Sequence, residues 1–330
     1  MTPRWEIVDG HVESFVWTRI FGYDLANRHG DGLLGGRYYS QADLPRMREA
    51  GMAGAVMSVA TNPFRRAEHR TGVLMGNLAR LRRSLETDPR VAVVRDHAGY
   101  RAARSEGRLA CFLGVQGANA WSRPDDVART PEVTRATLVH LTDSPIGATS
   151  SPLGRSRGRG GLTPLGREYV RALNAARVLV DLAHISRRGF RDALDAHDPD
   201  LPPVVSHTGV CGVRPSWRNL DDDQIRAVAG RGGVVGIMFH RGFLGRPSWR
   251  VTSDAVLAHL AHLIAVGGEE VAALGSDYDG MIDPPRDLRT VLQLPGLVDR
   301  MLGAGFSEDR VAKVLGGNHL RVMAAVRPAS

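Results

Sequence analysis

Eight short apolar runs recur along the chain, separated by longer stretches in which apolar residues return every three or four positions. The runs are WEIVDGH (5–11), AGAVMSVAT (53–61), LACFLGVQG (109–117), ATLVHLTD (136–143), RVLVDLAH (177–184), PPVVSH (202–207), GGVVGIMFH (232–240) and VAALGSDYDG (271–280). Runs this continuously apolar predict strands buried on both faces, as a parallel sheet requires. Helix signals lie in the segments between and after them. SQADLPRMREAG (40–51) opens on a serine cap and closes on glycine, and TPLGREYVRALNAA (163–176) places Thr then Pro at its first turn. LDDDQIRAVAGRGG (220–233) and SDAVLAHLAHLIAVGG (253–268) carry acids at the start and glycines at the end. SEDRVAKVLGGNHLRVMAAV (307–326) contains Gly316-Gly317, which predicts a break into two helices.

Eight strands with intervening helices predict an α/β fold, a single (β/α)8 TIM barrel spanning 1–330 as one domain. A doubly wound open sheet is the competing architecture. No glycine-rich phosphate loop follows the first run, which argues against its dinucleotide-binding version.

Composition changes this picture little. The net charge of +8 invites nucleic acid as a partner, but the basic residues are scattered and Lys313 is the only lysine. The densest basic stretch, GRSRGRGG (154–161), reads as a flexible loop, and no aromatic-and-basic face accompanies it, so nucleic-acid binding is not expected. No apolar run is long enough to span a bilayer, and the N-terminal residues have no signal-like core. A cytoplasmic protein with no membrane partner is the expectation. Cys111 and Cys211 are the only thiols, which excludes a disulfide framework.

Candidate chemistry gathers at the ends of the runs. The first ends in His11 and Glu13, the third in Gln116 and the fourth in His140. The fifth ends in His184, the sixth in His207 and the eighth in Asp277 with Asp279. In a parallel barrel these ends converge on one rim. Neutral imidazole with carboxylate is a donor set for zinc or a similar divalent cation. A lone histidine at a strand end is more often structural, and His240, His259 and His262 are read that way, the last two on a helix facing solvent. SDYDG (276–280) resembles a fragment of a calcium loop but lacks the remaining ligands.

Beyond these ends, extended stretches resemble the membrane (renal) dipeptidase family of amidohydrolase-type metallopeptidase barrels. VDGHVES (8–14) resembles that family's opening D-G-H-N-D. GLTPLGREYVRALNAARVLVDLAHIS (161–186) is similar to its G-L-T-P…D-L-S-H-x-S segment, and PPVVSHTGVCGVRPSWRNLDDDQIRAVAGRGGVVGIMF (202–239) to its P-x-x-x-S-H-S…R-N-x-x-D…GG segment. VAALGSDYDG (271–280) resembles its G-S-D-F-D-G, and VLGGNHLRV (314–322) its terminal G-G-N-x-L-R-V. The likeness runs from about residue 5 to 326.

The resemblance implies a binuclear zinc enzyme that cleaves dipeptides, and a homodimer. It implies one metal on His11 and residue 13, the other on His184 and His207, and a bridging carboxylate at residue 116. It gives His140 to the substrate and the tetrahedral oxyanion, Arg218 to the substrate carboxylate and Asp277 to proton transfer, with Asp279 beside the substrate. An arginine fork suits a free carboxylate, and a carboxylate beside the attacking water suits a general base and acid.

Two metal positions depart from the family. Glu13 stands where the family has Asp, and Gln116 where it has the bridging Glu; Asn119-Ala120 also replaces part of a histidine-bearing G-G-H. Two dications about 3.5 Å apart repel by about 20 kcal/mol at an effective dielectric of 20. A neutral amide cannot supply the charge that offsets this. Three outcomes stay open: one metal, two bridged by hydroxide alone, or none. Three functional readings stand beside them: a dipeptidase-like hydrolase with a weakened or mononuclear site, a barrel repurposed for C–N chemistry on a specialised metabolite without a binuclear centre, and a non-catalytic binding protein that retains the pocket.

Overall fold

The computed structural model describes residues 5–328 apart from 33, 61, 63 and 64. Nine parallel strands form its sheet: β1 (Ile7–Val12), β2 (Met52–Ala60), β3 (Val91–Val93), β4 (Leu109–Gln116), β5 (Val133–Thr137), β6 (Leu179–Asp181), β7 (Val204–Thr208), β8 (Val234–Ile237) and β9 (Ala272–Leu274). Eight of them follow one another as β1-β2-β4-β5-β6-β7-β8-β9, and β3 pairs with β4 beside this path. Val12 pairs in parallel with Tyr278, where Glu13 N donates to Tyr278 O at 2.9 Å and Asp277 N to His11 O at 3.0 Å. These contacts bring the last strand back to the first, giving a nearly closed (β/α)8 barrel.

Burial explains the apolar runs. Every residue of β4 is buried, and all of β2 except its last residue. The outer layer packs by stripes: Leu74, Leu78, Leu81 and Leu85 of helix Ala67–Glu86 recur at helical spacing and join the core. That helix and His97–Ser105 lie in segments that the sequence pattern did not single out.

Four expectations are corrected. The fourth strand is Val133–Thr137, upstream of the apolar run at 136–143, because Thr134 and Arg135 are fully buried strand residues despite their polarity. The short β3 was not expected. It covers the first residues of β4, whose pairing with β5 begins only at Leu113. Helix Leu44–Glu49 is capped by Asp43, which accepts from Arg46 N; Ser40 donates to Gly30 O instead. Gly316-Gly317 does not break the C-terminal helix, because Glu308–Ala312 runs through a π-helical stretch, Lys313–Gly317, into Asn318–Val326. A Cβ on Gly316 would lie 2.6 Å from Glu6 O, so the glycine lets that helix approach β1. The second apolar run's last residue, 61, lies outside the described residues. The other anticipated helices form as Pro164–Ala175, Asp222–Ala229 and Ser253–Gly267, the first capped by Thr163 and the second by an Asp221–Gln224 capping box.

Candidate active site

The strand register carries the chemical groups to one mouth. His11 lies in β1 with Glu13 just beyond it, Gln116 ends β4, and His207 lies in β7. His140, His184 and Asp277 each stand three residues past β5, β6 and β9, and Arg218 lies in the loop after β7. His184 and Asp277 hold φ of 66° and 63°, a left-handed backbone that few non-glycine residues adopt. Their strand ends are fixed by carboxylates. Asp9 Oδ1 accepts from His11 N and Ser276 N, and Asp181 Oδ1 from Ala183 N and Ser206 N, all at 2.9–3.0 Å.

Four imidazoles form a row. Ring centroids are 3.9 Å apart for His11–His207, 4.8 Å for His207–His184 and 4.9 Å for His184–His140. His184 Nε2 and His207 Nε2 are 2.8 Å apart, and Gln116 Nε2 donates to His140 Nε2 at 2.7 Å. Burial holds all four rings well below the ordinary histidine range, with Arg218 as a second cause at His140, whose value falls to about 3. They are neutral near pH 7, the form that binds a metal. Burial also pushes Glu13 up to about 8, and burial together with Glu13 raises Asp277 well above the carboxylate range. His11 Nε2 lies 3.6 Å from Asp277 Oδ1 and 3.8 Å from Glu13 Oε1.

Glu13, Gln116, His140, His184, Arg218 and Asp277 line a cavity of about 450 Å³. Arg218 is buried, its Nη2 donates to His207 O at 2.7 Å, and burial lowers it to about 10. The remaining wall includes Trp217, Met238, Phe243 and Ile282, with Trp217 and Phe243 edge to face at 5.3 Å. His240, read from sequence as bland, also faces this cavity and packs on Phe243 at 5.0 Å.

Asp279 does not join the cavity lining. It is fully buried, accepts from Ser14 Oγ, Gln41 N and Ala42 N, and ties the β9 loop to the N-terminal segment, so its expected place beside the substrate is corrected. His259 is not solvent-facing either. It is buried, with Val210 N donating to its Nδ1 at 2.9 Å and its Nε2 3.1 Å from Leu244 O. Sequence reasoning also missed Arg135, which has no exposure and reaches His11 and Asp181. An arginine inside a strand was the available signal. Cys111 and Cys211 are both free.

The donor set fits a divalent cation. His11 Nε2 and Glu13 Oε1 are buried without a hydrogen-bond partner among the described residues, and His11, His207 and Asp277 offer ligand atoms within 4.8 Å of one another. Zinc ligands at about 2.0–2.1 Å in a tetrahedron stand roughly 3.4 Å apart; the spacings around His11 Nε2 are 3.6 and 3.8 Å, and His184 Nε2 and His207 Nε2, 2.8 Å apart, would separate by about half an ångström to share one ion. The set does not fit two cations held by a bridging carboxylate, because Gln116 supplies a neutral amide at that place and Arg218 adds a buried positive charge.

A parallel barrel with imidazoles, carboxylates and an arginine at the C-terminal mouth of its strands has the layout of a TIM-barrel enzyme. The chain belongs to the membrane dipeptidase family, peptidase family M19, whose model matches residues 2–330. A metallopeptidase from Rhodobacter sphaeroides, solved with a phosphinate mimic of the dipeptide L-Ala-D-Ala, superposes with a TM-score of 0.82 at 27% identity, over 98% of this chain and 99% of that one. A dipeptidase described as an M19 metallopeptidase gives 0.83 at 27% identity, over 99% and 100%. An uncharacterised dipeptidase of Schizosaccharomyces pombe is 32% identical over 226 residues, 67% of this chain. The aligned stretch spans about half of that curated relative, 54% of its length. No helix among the described residues is long and apolar enough to cross a membrane.

Proposed function

We propose that this chain hydrolyses a dipeptide, or a related small amide with a free carboxylate, using one divalent cation, zinc by the character of its donors. The observation that carries this reading is a row of four neutral imidazoles, His11, His207, His184 and His140, of which the last two line one cavity together with Glu13, Asp277 and Arg218. His184 and His207 would hold the cation, with Asp277 as the nearby carboxylate. His207 suits this role because its Nδ1 faces Ser206 Oγ at 2.8 Å; a proton on Nδ1 can be donated to the hydroxyl, leaving Nε2 free. Such a cation, when bound, polarises the scissile carbonyl and lowers the pKa of the attacking water.

The chain's own groups supply the rest. Arg218 offers its fork to the substrate carboxylate. Asp277, raised by burial, takes a proton from the attacking water and returns it to the leaving amine. His140 stays neutral and hydrogen-bonds the developing oxyanion, positioned by Gln116. The apolar wall around Trp217 and Phe243 excludes water and accepts the substrate side chain.

A dipeptide panel assayed with zinc, cobalt or manganese tests the proposal. Turnover that chelator removes and metal restores is expected; a folded protein inactive with every metal would sink it. The Gln116–His140 contact favours a second reading, a repurposed barrel performing C–N chemistry on a specialised metabolite without peptide hydrolysis. Under that reading Gln116→Glu leaves dipeptide turnover at background.

A further inference from the structure

Arg135 occupies the floor beneath this site. It projects inward from β5, with Nη1 on Asp181 Oδ2 of β6 and Nη2 donating to Ser58 Oγ of β2 at 2.7 Å. The same Nη2 lies 2.9 Å from His11 Nδ1. Space for it comes from β4: a Cβ on Gly114 would lie 2.8 Å from Nη2 and 3.1 Å from Ser58 Oγ. Residues of four other strands therefore surround one guanidinium, at full burial, directly behind a residue that the family resemblance gives to a metal.

We propose that Arg135 removes His11 from the metal-binding set by fixing its tautomer, leaving the barrel a single cation position on the His184–His207 side. This rests on the one-cation reading above. A guanidinium only donates hydrogen bonds and keeps its proton in proteins. Ser58 Oγ also lies 3.3 Å from His11 Nδ1, but the closer Arg135 Nη2, at 2.9 Å, can only donate, so His11 Nδ1 is the acceptor and the neutral ring carries its hydrogen on Nε2. Ligation through Nε2 requires the opposite tautomer, which would turn an N–H of His11 against an N–H of Arg135.

The stacked neighbour shows the contrast. His207 Nδ1 faces the hydroxyl of Ser206, which accepts as readily as it donates, so His207 can free its Nε2. Two imidazoles with centroids 3.9 Å apart thus have different capacities, set by what stands behind each. Spacing alone would admit a cation among His11, His207 and Asp277; the position of the proton excludes it. His11 Nε2 has no hydrogen-bond partner among the described residues, and Asp277 Oδ1 and Glu13 Oε1 stand 3.6 and 3.8 Å from it.

Two measurements on the full chain test this. Long-range proton–nitrogen NMR on histidine-labelled protein, with His11 assigned by its loss in His11→Asn, reads the tautomer directly. A pyrrole-type Nε2 and a pyridine-type Nδ1 are expected, unmoved by one equivalent of zinc while His184 and His207 shift. A His11 signal in the other tautomer, or one that moves to a coordinated pattern with zinc, overturns the proposal. Zinc is then counted by equilibrium dialysis and elemental analysis. Wild type and Gln116→Glu should each hold one ion, and Gln116→Glu combined with Arg135→Met and Asp181→Asn should hold two. The ion pair is removed as a unit because one buried partner left alone would destabilise the fold. Two ions on wild type or on Gln116→Glu alone, or only one on a natively folded triple variant, overturns the proposal. Hydrolysis does not enter these readouts: one ion and a fixed His11 in a chain that cleaves no dipeptide would sink the hydrolase reading and leave this one standing.

Discussion

Burial sets opposing pH dependences on neighbouring residues. His11, His140, His184 and His207 are held neutral in the fold, so the unfolded chain binds more protons below its histidine value of 6.5. Their contribution to stability is present above 6.5 and is lost as pH falls from there toward about 3, the His140 value. Glu13 runs the other way. Raised from 4.5 to about 8, it favours the fold below 4.5, and that contribution disappears as pH rises through 8. Metal-free protein should therefore melt highest near pH 6.5 and lower toward both ends. Melting in chelator across this range checks it, and a melting temperature still climbing between 6.5 and 8 would show Glu13 ionised in the fold. Arg218 allows a second prediction. Arg218→Lys keeps the charge and loses the fork, so KM for a free-carboxylate dipeptide should rise about tenfold, roughly 1.4 kcal/mol. A C-terminally amidated analogue should show no such change; an equal rise for both would remove Arg218 from carboxylate recognition. The histidines and Asp277 were legible because strand-end position alone singles them out. Arg135 was not, because the rule that admits apolar strands discards a strand with a charge inside it.

That blind spot moves a whole element. The run ATLVHLTD suggested a strand whose end was His140, whereas β5 begins at Val133 and contains Arg135. The arginine is tolerated because Asp181, on the adjacent strand, pairs with it at full burial. A partner 46 residues away leaves no local trace in the sequence. The C-terminal helix failed for a related reason. Its glycine pair was read through helix propensity, but Gly316 is set by the approach of β1, a contact with no local signature. This yields a prediction with an internal control. Gly316→Ala must push against Glu6 O and should destabilise by about 2 kcal/mol in denaturant unfolding. Gly296→Ala, in helix Leu294–Gly303 with nothing within 4 Å of its Cβ, should stabilise by up to about 1 kcal/mol. If both variants shifted stability alike, propensity rather than packing would govern these glycines.

Across the whole molecule, seven of the eight barrel strands were legible from periodicity alone, because two-sided burial makes each a dense apolar run, and β5 was not, because Thr134 and Arg135 interrupt it. The extra strand was not, since three residues carry too little pattern. The barrel's own architecture then makes cation binding a global event. His184 and His207 lie at the ends of two adjacent strands, in a ring closed only by contacts such as Val12 with Tyr278. A cation between them binds the folded chain and finds no preformed site in the unfolded one. At a hundredfold excess over its Kd it stabilises by about 2.7 kcal/mol. With an unfolding entropy of about 2.1 cal/mol/K per residue over 330 residues, that raises Tm by about 4 °C. His184→Ala with His207→Ala should abolish the shift. His11→Asn, whose carbonyl can still accept from Arg135, should keep it nearly whole, because on this reading His11 is not a metal ligand. If His11→Asn lost the shift while the His184/His207 pair variant retained it, the cation would sit on the other side of the stacked rings, and the division of labour between the two imidazoles would be reversed.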